Sequence, residues 1–165
     1  VDFEQFLSQA STQNTKEKSA VSAVSEGKPG EKKHTVCLVD DLKSISSSMK
    51  REITLAARHS EIAVIIWEFQ DPMQAVEHLQ KNRPDLLITD VKMPYMTGDK
   101  LVEIVKKIYP DLPVIVVTGF ATKENILSVY KSDKNSIVLS KPWEPKRLIE
   151  TVAQLLGIPL TWPED

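Results

Sequence analysis

Apolar positions along this chain fall into short unbroken runs that alternate with stretches of helical periodicity. Thr35-Val36-Cys37-Leu38-Val39, residues 62–67, Leu86-Leu87-Ile88-Thr89, residues 113–118 and residues 136–140 are runs of strand length. Runs apolar on both alternating positions suit strands buried on both faces of a parallel sheet. Between them, apolar residues recur every three or four positions. The sets are Leu42, Ile45, Met49, Ile53 and Ala56; Met73, Val76 and Leu79; Leu101, Ile104, Val105 and Ile108; Ile126, Leu127 and Tyr130; and Leu148, Val152, Leu155 and Leu156. Asp71-Pro72 opens the second helix, with Asp as N-cap and Pro where its missing N–H costs nothing. Pro110 ends the third, and Gly157 stands just past the last.

Five such strands alternating with five helices predict an α/β fold, a doubly wound five-stranded parallel sheet with helices on both faces. Right-handed crossovers leave few topologies. With only five strands available, the flavodoxin-like order 2-1-3-4-5 is expected over a Rossmann order. The chain has no GxGxxG and no Walker motif, so a nucleotide-binding version of the fold has little support.

The first 33 residues differ in texture. Residues 1–10 read as a short amphipathic helix, with Asp2 as N-cap and Phe3, Phe6, Leu7 and Ala10 on one face. A helix this short needs a surface to dock on. Residues 11–33 contain no Leu, Ile or aromatic residue and are rich in Ser, Lys and Glu. Such a segment buries too little apolar surface to offset its ordering entropy and reads as a linker. The expected organisation is therefore helix plus linker over 1–33, a single domain over 34–158, and a tail over 159–165.

Composition narrows the setting. The 165 residues are 41% hydrophobic and 27% charged, as in an ordinary globular chain. A net charge of -2 argues against nucleic-acid contact. No apolar run approaches the ~20 residues needed to span a bilayer, and the N-terminus lacks the pattern of a signal peptide. The single cysteine, Cys37, forms no internal disulfide, which fits a reducing, cytoplasmic location. The chain begins with Val, as expected for a piece of something longer.

The chemistry lies in what ends each strand. The first ends in Asp40-Asp41, the third in Asp90, the fourth in Thr118-Gly119 and the fifth in Lys141-Pro142. All C-terminal ends of a parallel sheet lie on one edge, where ligands bind in open α/β folds. Taken singly, Asp at a strand end is an ordinary cap, Thr an ordinary strand residue and Lys an ordinary solvated charge. Together they bring three carboxylates, a hydroxyl and an ammonium to one pocket. Carboxylates that close repel one another strongly, and Mg²⁺ with oxygen ligands is the usual remedy. Asp41 and Asp90 are the expected direct ligands, with Asp40 acting through water. A carboxylate beside a metal and a lysine is also a reasonable nucleophile toward phosphorus. Lys141 and Thr118 would then face the equatorial oxygens of the transferring group.

Val39-Asp40-Asp41, Asp90-Val91-Lys92-Met93-Pro94-Tyr95-Met96-Thr97-Gly98, Val117-Thr118-Gly119 and Ser140-Lys141-Pro142-Trp143 together resemble the receiver domain of two-component response regulators. The resemblance covers about residues 34–158. It implies that Asp90 accepts a phosphoryl group from a histidine kinase or a histidine phosphotransfer protein. It also implies that Asp40, Asp41, Asp90 and the backbone carbonyl of Lys92 hold Mg²⁺. Thr118 and Lys141 would engage the phosphoryl oxygens, and Lys141-Pro142 would be a cis peptide. The chain would act as a switch toward a downstream output protein or domain, transforming no external metabolite. The N-terminal helix and linker then suggest an upstream neighbour, such as the kinase of a hybrid sensor, although a stand-alone regulator with a tail fits as well.

One residue departs from the pattern. Many receivers carry Tyr, Phe or His three residues before the lysine, and here Val138 stands there. That puts the relay to the output face in doubt while leaving the acceptor chemistry intact. Lys92 adds a cation near the phosphoryl group and is expected to tune its hydrolysis. Trp143, beside Lys141, is a reporter of site occupancy or a packing residue. His34, His59 and His78 lack metal-ligand spacing, and Cys37 reads as a buried filler. Two rival readings remain. A pseudo-receiver would bind partners without phosphorylation, and the absent aromatic favours it weakly. A phosphatase with an Asp nucleophile of the haloacid-dehalogenase type wants a second Asp where Lys92 stands.

Overall fold

The computed structural model describes residues 21–119 and 121–164. The helix expected over residues 1–10 lies outside them. The described chain runs β1 (Val21–Val24), β2 (His34–Val39), α1 (Lys43–His59), β3 (Val64–Phe69), α2 (Pro72–Lys81), β4 (Leu86–Thr89), α3 (Gly98–Ile108), β5 (Val114–Thr118), α4 (Lys123–Ser132), β6 (Ile137–Ser140) and α5 (Pro145–Leu156). The sheet order is β1-β3-β2-β4-β5-β6. Strands β2 to β6 are parallel, in the expected order 2-1-3-4-5 among themselves.

Each face of the sheet carries its own core. On one side Val36, Leu38, Ile66, Ile88 and Val117 pack against Met49 and Ile53 of α1 and Leu148 and Val152 of α5. On the other, Cys37, Val39, Leu87 and Val116 pack against Val76 and Leu79 of α2, Leu101 and Val105 of α3 and Val129 of α4. Alternate residues of one strand thus feed both cores, which is why the strands read as unbroken apolar runs. Asp71 caps α2 as expected, its Oδ1 accepting the Met73 N–H at 2.9 Å.

The sixth strand corrects the linker reading. β1 lies within the segment expected to be linker and pairs antiparallel with β3, Val21 opposite Trp67 and Val24 opposite Ile65. Ser25 follows it into the structure. The buried Ser25 Oγ donates to the Ile62 carbonyl at 2.6 Å and accepts the Val64 N–H at 3.0 Å. Gly27 then passes so close to Ala63 that a Cβ would sit 2.7 Å from its nitrogen. An edge strand is held by backbone hydrogen bonds that the neighbouring strand already offers, so it needs little apolar content of its own. The apolar count that suggested a linker did not register this.

Smaller corrections concern faces. Met73 is exposed, and Ala75 joins Val76 and Leu79 on the inner side of α2. On α4 the buried residue is Val129, whereas Leu127 and Tyr130 point outward. The second parallel strand starts at Val64 rather than 62 and runs on to Phe69, taking in the buried Glu68. At the other terminus Leu160 is buried, Trp162 packs on the α1–α5 core, and Ser60 Oγ accepts the Thr161 N–H at 2.9 Å.

Candidate phospho-acceptor site

The ladder delivers the acids to one place. Val39 pairs with Thr89 across β2 and β4, and the next residue of each strand is an aspartate. The Asp90 N–H still donates to the Val39 carbonyl at 3.1 Å, and the Asp40 N–H to the Phe69 carbonyl at 3.1 Å. Both backbones therefore leave the sheet only after the acid is in position. The ligand oxygens of Asp40, Asp41 and Asp90 lie within 4.8 Å of one another. Asp40 is wholly buried, Asp90 is buried, and Asp41 is half-buried.

Lys141 reaches this cluster from the C-terminal end of β6. Thr118 pairs with Ser140, and the Lys141 N–H donates to the Thr118 carbonyl at 2.8 Å. The lysine thus leaves the sheet beside the last residue of β5. Its Nζ donates to Asp40 Oδ2 at 2.8 Å and to Asp90 Oδ2 at 2.9 Å. The Lys141-Pro142 bond is cis, as the resemblance implied. Each carboxylate has its second oxygen held locally: Asp40 Oδ1 accepts the Leu42 N–H at 2.9 Å, and Asp90 Oδ1 accepts the Val91 N–H at 2.7 Å. The acids are fixed in orientation rather than left to solvent.

The electrostatics follow from burial. Burial pushes the Asp40 carboxyl above its ordinary range; the Lys141 and Leu42 hydrogen bonds offset this only in part, and the Asp90 charge adds to it. Burial works to lower Lys141, but its hydrogen bonds and charge interactions with Asp40 and Asp90 outweigh burial and hold it above its ordinary value. The lysine is therefore firmly charged and partly compensates three crowded carboxylates. A set of carboxylate oxygens this close suits a hard divalent cation such as Mg²⁺.

Of the other expected residues, Thr118 is buried at the same edge, and Lys92 is exposed in the loop two residues beyond Asp90. Val138 is half-buried against the core of the α2–α4 side. Several contacts went unread in the sequence. Thr89 Oγ1 donates to the Asp90 carbonyl at 2.9 Å. A Cβ on Gly98 would lie 1.9 Å from the same carbonyl oxygen, so the return of the chain at α3 needs glycine. Trp143 Nε1 donates to Glu52 Oε2 of α1 at 2.7 Å.

Comparison with known proteins agrees with this geometry. The family model for the response regulator receiver domain matches residues 36–153. A chemotaxis protein CheY homologue from Campylobacter jejuni is 32% identical over 123 residues, covering 73% of this chain and 90% of that protein. The DNA-binding transcriptional regulator NtrC of Proteus hauseri is 31% identical over 99 residues, 60% of this chain but only 20% of NtrC. The chain thus spans about a fifth of that longer relative. Among solved structures, a CheY-like receiver domain protein from Methanospirillum hungatei superposes with a TM-score of 0.67 at 23% identity, covering 76% of this chain and 95% of that one, which bears on the fold. No helix among the described residues is long and apolar enough to cross a membrane. The sheet order, the acid cluster at its C-terminal edge and the family match together place this chain among the response regulator receiver domains of two-component signalling.

Proposed function

We propose that this receiver is a working phosphorylation switch whose acceptor is Asp90. The observation that carries the reading is the Lys141 ammonium set between Asp40 Oδ2 and Asp90 Oδ2, with Asp41 completing the acid cluster. A carboxylate oxygen of Asp90 attacks the phosphorus of a phosphohistidine on a histidine kinase or phosphotransfer protein. The O–P bond forms as the P–N bond breaks, and the electron pair returns to the imidazole nitrogen, which takes up a proton. Asp40, Asp41, Asp90 and the Lys92 carbonyl would hold Mg²⁺, which when bound supplies charge neutralisation for the phosphoryl oxygens. Lys141 follows the phosphoryl oxygens in exchange for the carboxylates, and the Thr118 hydroxyl donates a further hydrogen bond.

The consequence is a population shift between two conformations of the face formed by α4, β6 and α5, read by a downstream protein or domain. The setting is cytoplasmic, with no nucleic acid or membrane in direct contact. Phosphoramidate, a small donor with the P–N bond of phosphohistidine, tests the chemistry. Formation of an acid-stable, base-labile acyl phosphate that requires Mg²⁺ and disappears in Asp90→Asn supports it. Absence of the adduct, with no Mg²⁺-dependent binding of beryllofluoride, favours a receiver that works unphosphorylated, the reading that Val138 weakly recommends.

A further inference from the structure

A lysine ammonium sits at the end of a flexible four-carbon stem, so its position depends on how firmly its backbone is held. Lys141 is held on two sides. Its N–H donates to the Thr118 carbonyl at 2.8 Å, and two residues on, the Trp143 indole Nε1 donates to Glu52 Oε2 at 2.7 Å. The Trp143 ring packs on the α1–α5 core. Beyond it the Glu144 carbonyl accepts the Leu148 N–H at 3.1 Å, which starts α5. The segment therefore passes from β6 to α5 with its indole fastened to the middle of α1.

Packing alone does not call for a carboxylate at position 52. Glu52 is half-buried, and burial pushes its carboxyl above the ordinary range; the Trp143 hydrogen bond and the Arg51 charge offset this only in part. An apolar side chain there would cover the indole without that cost. What the carboxylate adds is a directed, charge-assisted hydrogen bond, which fixes where the ring lies. The same helix also fixes the acid that Lys141 meets. The Leu42 N–H, at the start of α1, donates to Asp40 Oδ1 at 2.9 Å, and Lys141 Nζ donates to Asp40 Oδ2 at 2.8 Å. The helix from Leu42 to Glu52 spans about 15 Å. One rigid element thus sets both the carboxylate and the segment that brings the ammonium to it.

We propose that Glu52 is a positioning residue for phosphoryl transfer: acting through Trp143, it fixes the Lys141 segment so that the ammonium lies beside Asp90 when the phosphoryl oxygens arrive. The role rests on Asp90 as the acceptor and on Lys141 Nζ, 2.9 Å from Asp90 Oδ2, as the group that meets those oxygens. Loss of the hydrogen bond leaves the acids in place, because Asp40 and Asp90 keep their backbone donors at Leu42 and Val91. It displaces the ammonium alone. A misplacement of about 1 Å at a reacting centre costs up to roughly a hundredfold in rate.

Glu52→Leu removes the acceptor, Glu52→Gln keeps one, and Trp143→Phe keeps an aromatic ring without the donor. Two readouts are compared in the full chain. The first is the initial rate of acyl phosphate formation from phosphoramidate as Mg²⁺ is varied. Glu52→Leu is expected to lower the maximal rate about tenfold with the half-saturating Mg²⁺ unchanged. Glu52→Gln is expected to recover most of it, and Glu52→Leu to add no further loss to Trp143→Phe. The second readout needs neither phosphate nor Mg²⁺: reductive methylation of Lys141, followed by peptide mass. Its side chain is 15% exposed and engaged by two carboxylates, and in Glu52→Leu it is expected to react several-fold faster. Either readout equal to that of the parent overturns the proposal, even where the urea midpoint falls, because the contact then serves stability alone. So does a rate loss that multiplies with that of Trp143→Phe, since Glu52 then acts by another route. If Glu52→Leu does not fold, Trp143→Phe against Glu52→Gln carries the same comparison. A parent chain that takes no phosphoryl group fails the acceptor reading and the role in transfer with it, while the labelling separately decides whether Glu52 places Lys141.

Discussion

Trp143 and Glu52 are joined by a 2.7 Å hydrogen bond from the indole Nε1 to the carboxylate Oε2, which ties the segment after the cis Lys141-Pro142 bond to the middle of α1. Lys141 itself holds Asp40 and Asp90. Any exchange of partners at Lys141 is therefore felt two residues on by an indole whose polar end is anchored elsewhere. Tryptophan emission is expected to change when Mg²⁺ and beryllofluoride are added together, and the change is expected to vanish in Trp143→Phe. A response carried by Trp67 or Trp162 would persist in that variant and contradict the link.

Gly98 is the position where the fold tolerates least. A Cβ there would overlap the Asp90 carbonyl oxygen at 1.9 Å, and the Gly98 N–H already donates to the Val91 carbonyl at 2.7 Å. Backbone atoms, unlike a flexible side chain, cannot step aside. Gly98→Ala is expected to cost about 1–3 kcal/mol or more, within the range of overpacking in a tight site. The urea midpoint should fall, and acceptor activity should fall with it because the obstructed residue is Asp90. An unchanged midpoint would mean that the loop relaxes freely.

Glu68 gives the fold a pH dependence separate from the acid cluster. Burial works to raise its carboxyl, but the hydrogen bond and charge of Lys43, with Lys50 behind it, outweigh burial and hold it below the ordinary value of about 4.5. A lowered folded-state pKa means that the stabilisation is fully present above the unfolded value and is lost as pH falls through the folded one. Lys43 is largely exposed, so screening reduces the pair to about 1 kcal/mol. Glu68→Gln should lower the urea midpoint near neutrality and converge with the parent in acid. A deficit that stays constant with pH would assign the loss to packing.

Lys92 is exposed two residues beyond Asp90. The sequence assigns this cation a part in tuning a phosphoryl group on Asp90. Lys92→Ala is expected to change the lifetime of the acyl phosphate, followed by its decay after the donor is removed. A decay rate equal to that of the parent would contradict this role.

The five parallel strands were legible because each is an apolar run closed by turn residues, and the site was legible because those runs end in Asp40-Asp41, Asp90, Thr118 and Lys141. Chemistry at strand ends is visible in a sequence when the topology is regular enough to place the ends on one edge. β1 was not legible. Its four residues sit in a Ser- and Lys-rich segment, and it pairs with hydrogen-bonding groups that the edge of β3 offers, which no local pattern signals. The outward face of α4 was misread for a related reason. Leu127 and Tyr130 satisfy helical spacing, yet that helix buries only Val129, and spacing alone does not say which side meets the sheet. The Glu52–Trp143 and Glu68–Lys43 contacts join residues far apart in sequence, where no local pattern signals them.

We propose that Asp90 takes a phosphoryl group within the cluster it forms with Asp40, Asp41 and Lys141. Intact mass after incubation with acetyl phosphate, with and without Mg²⁺, beside Asp90→Asn, tests it most directly. One added phosphoryl group that requires Mg²⁺ and is absent from the variant is the expected result. An unmodified chain under all conditions, or an adduct that survives Asp90→Asn, would contradict it.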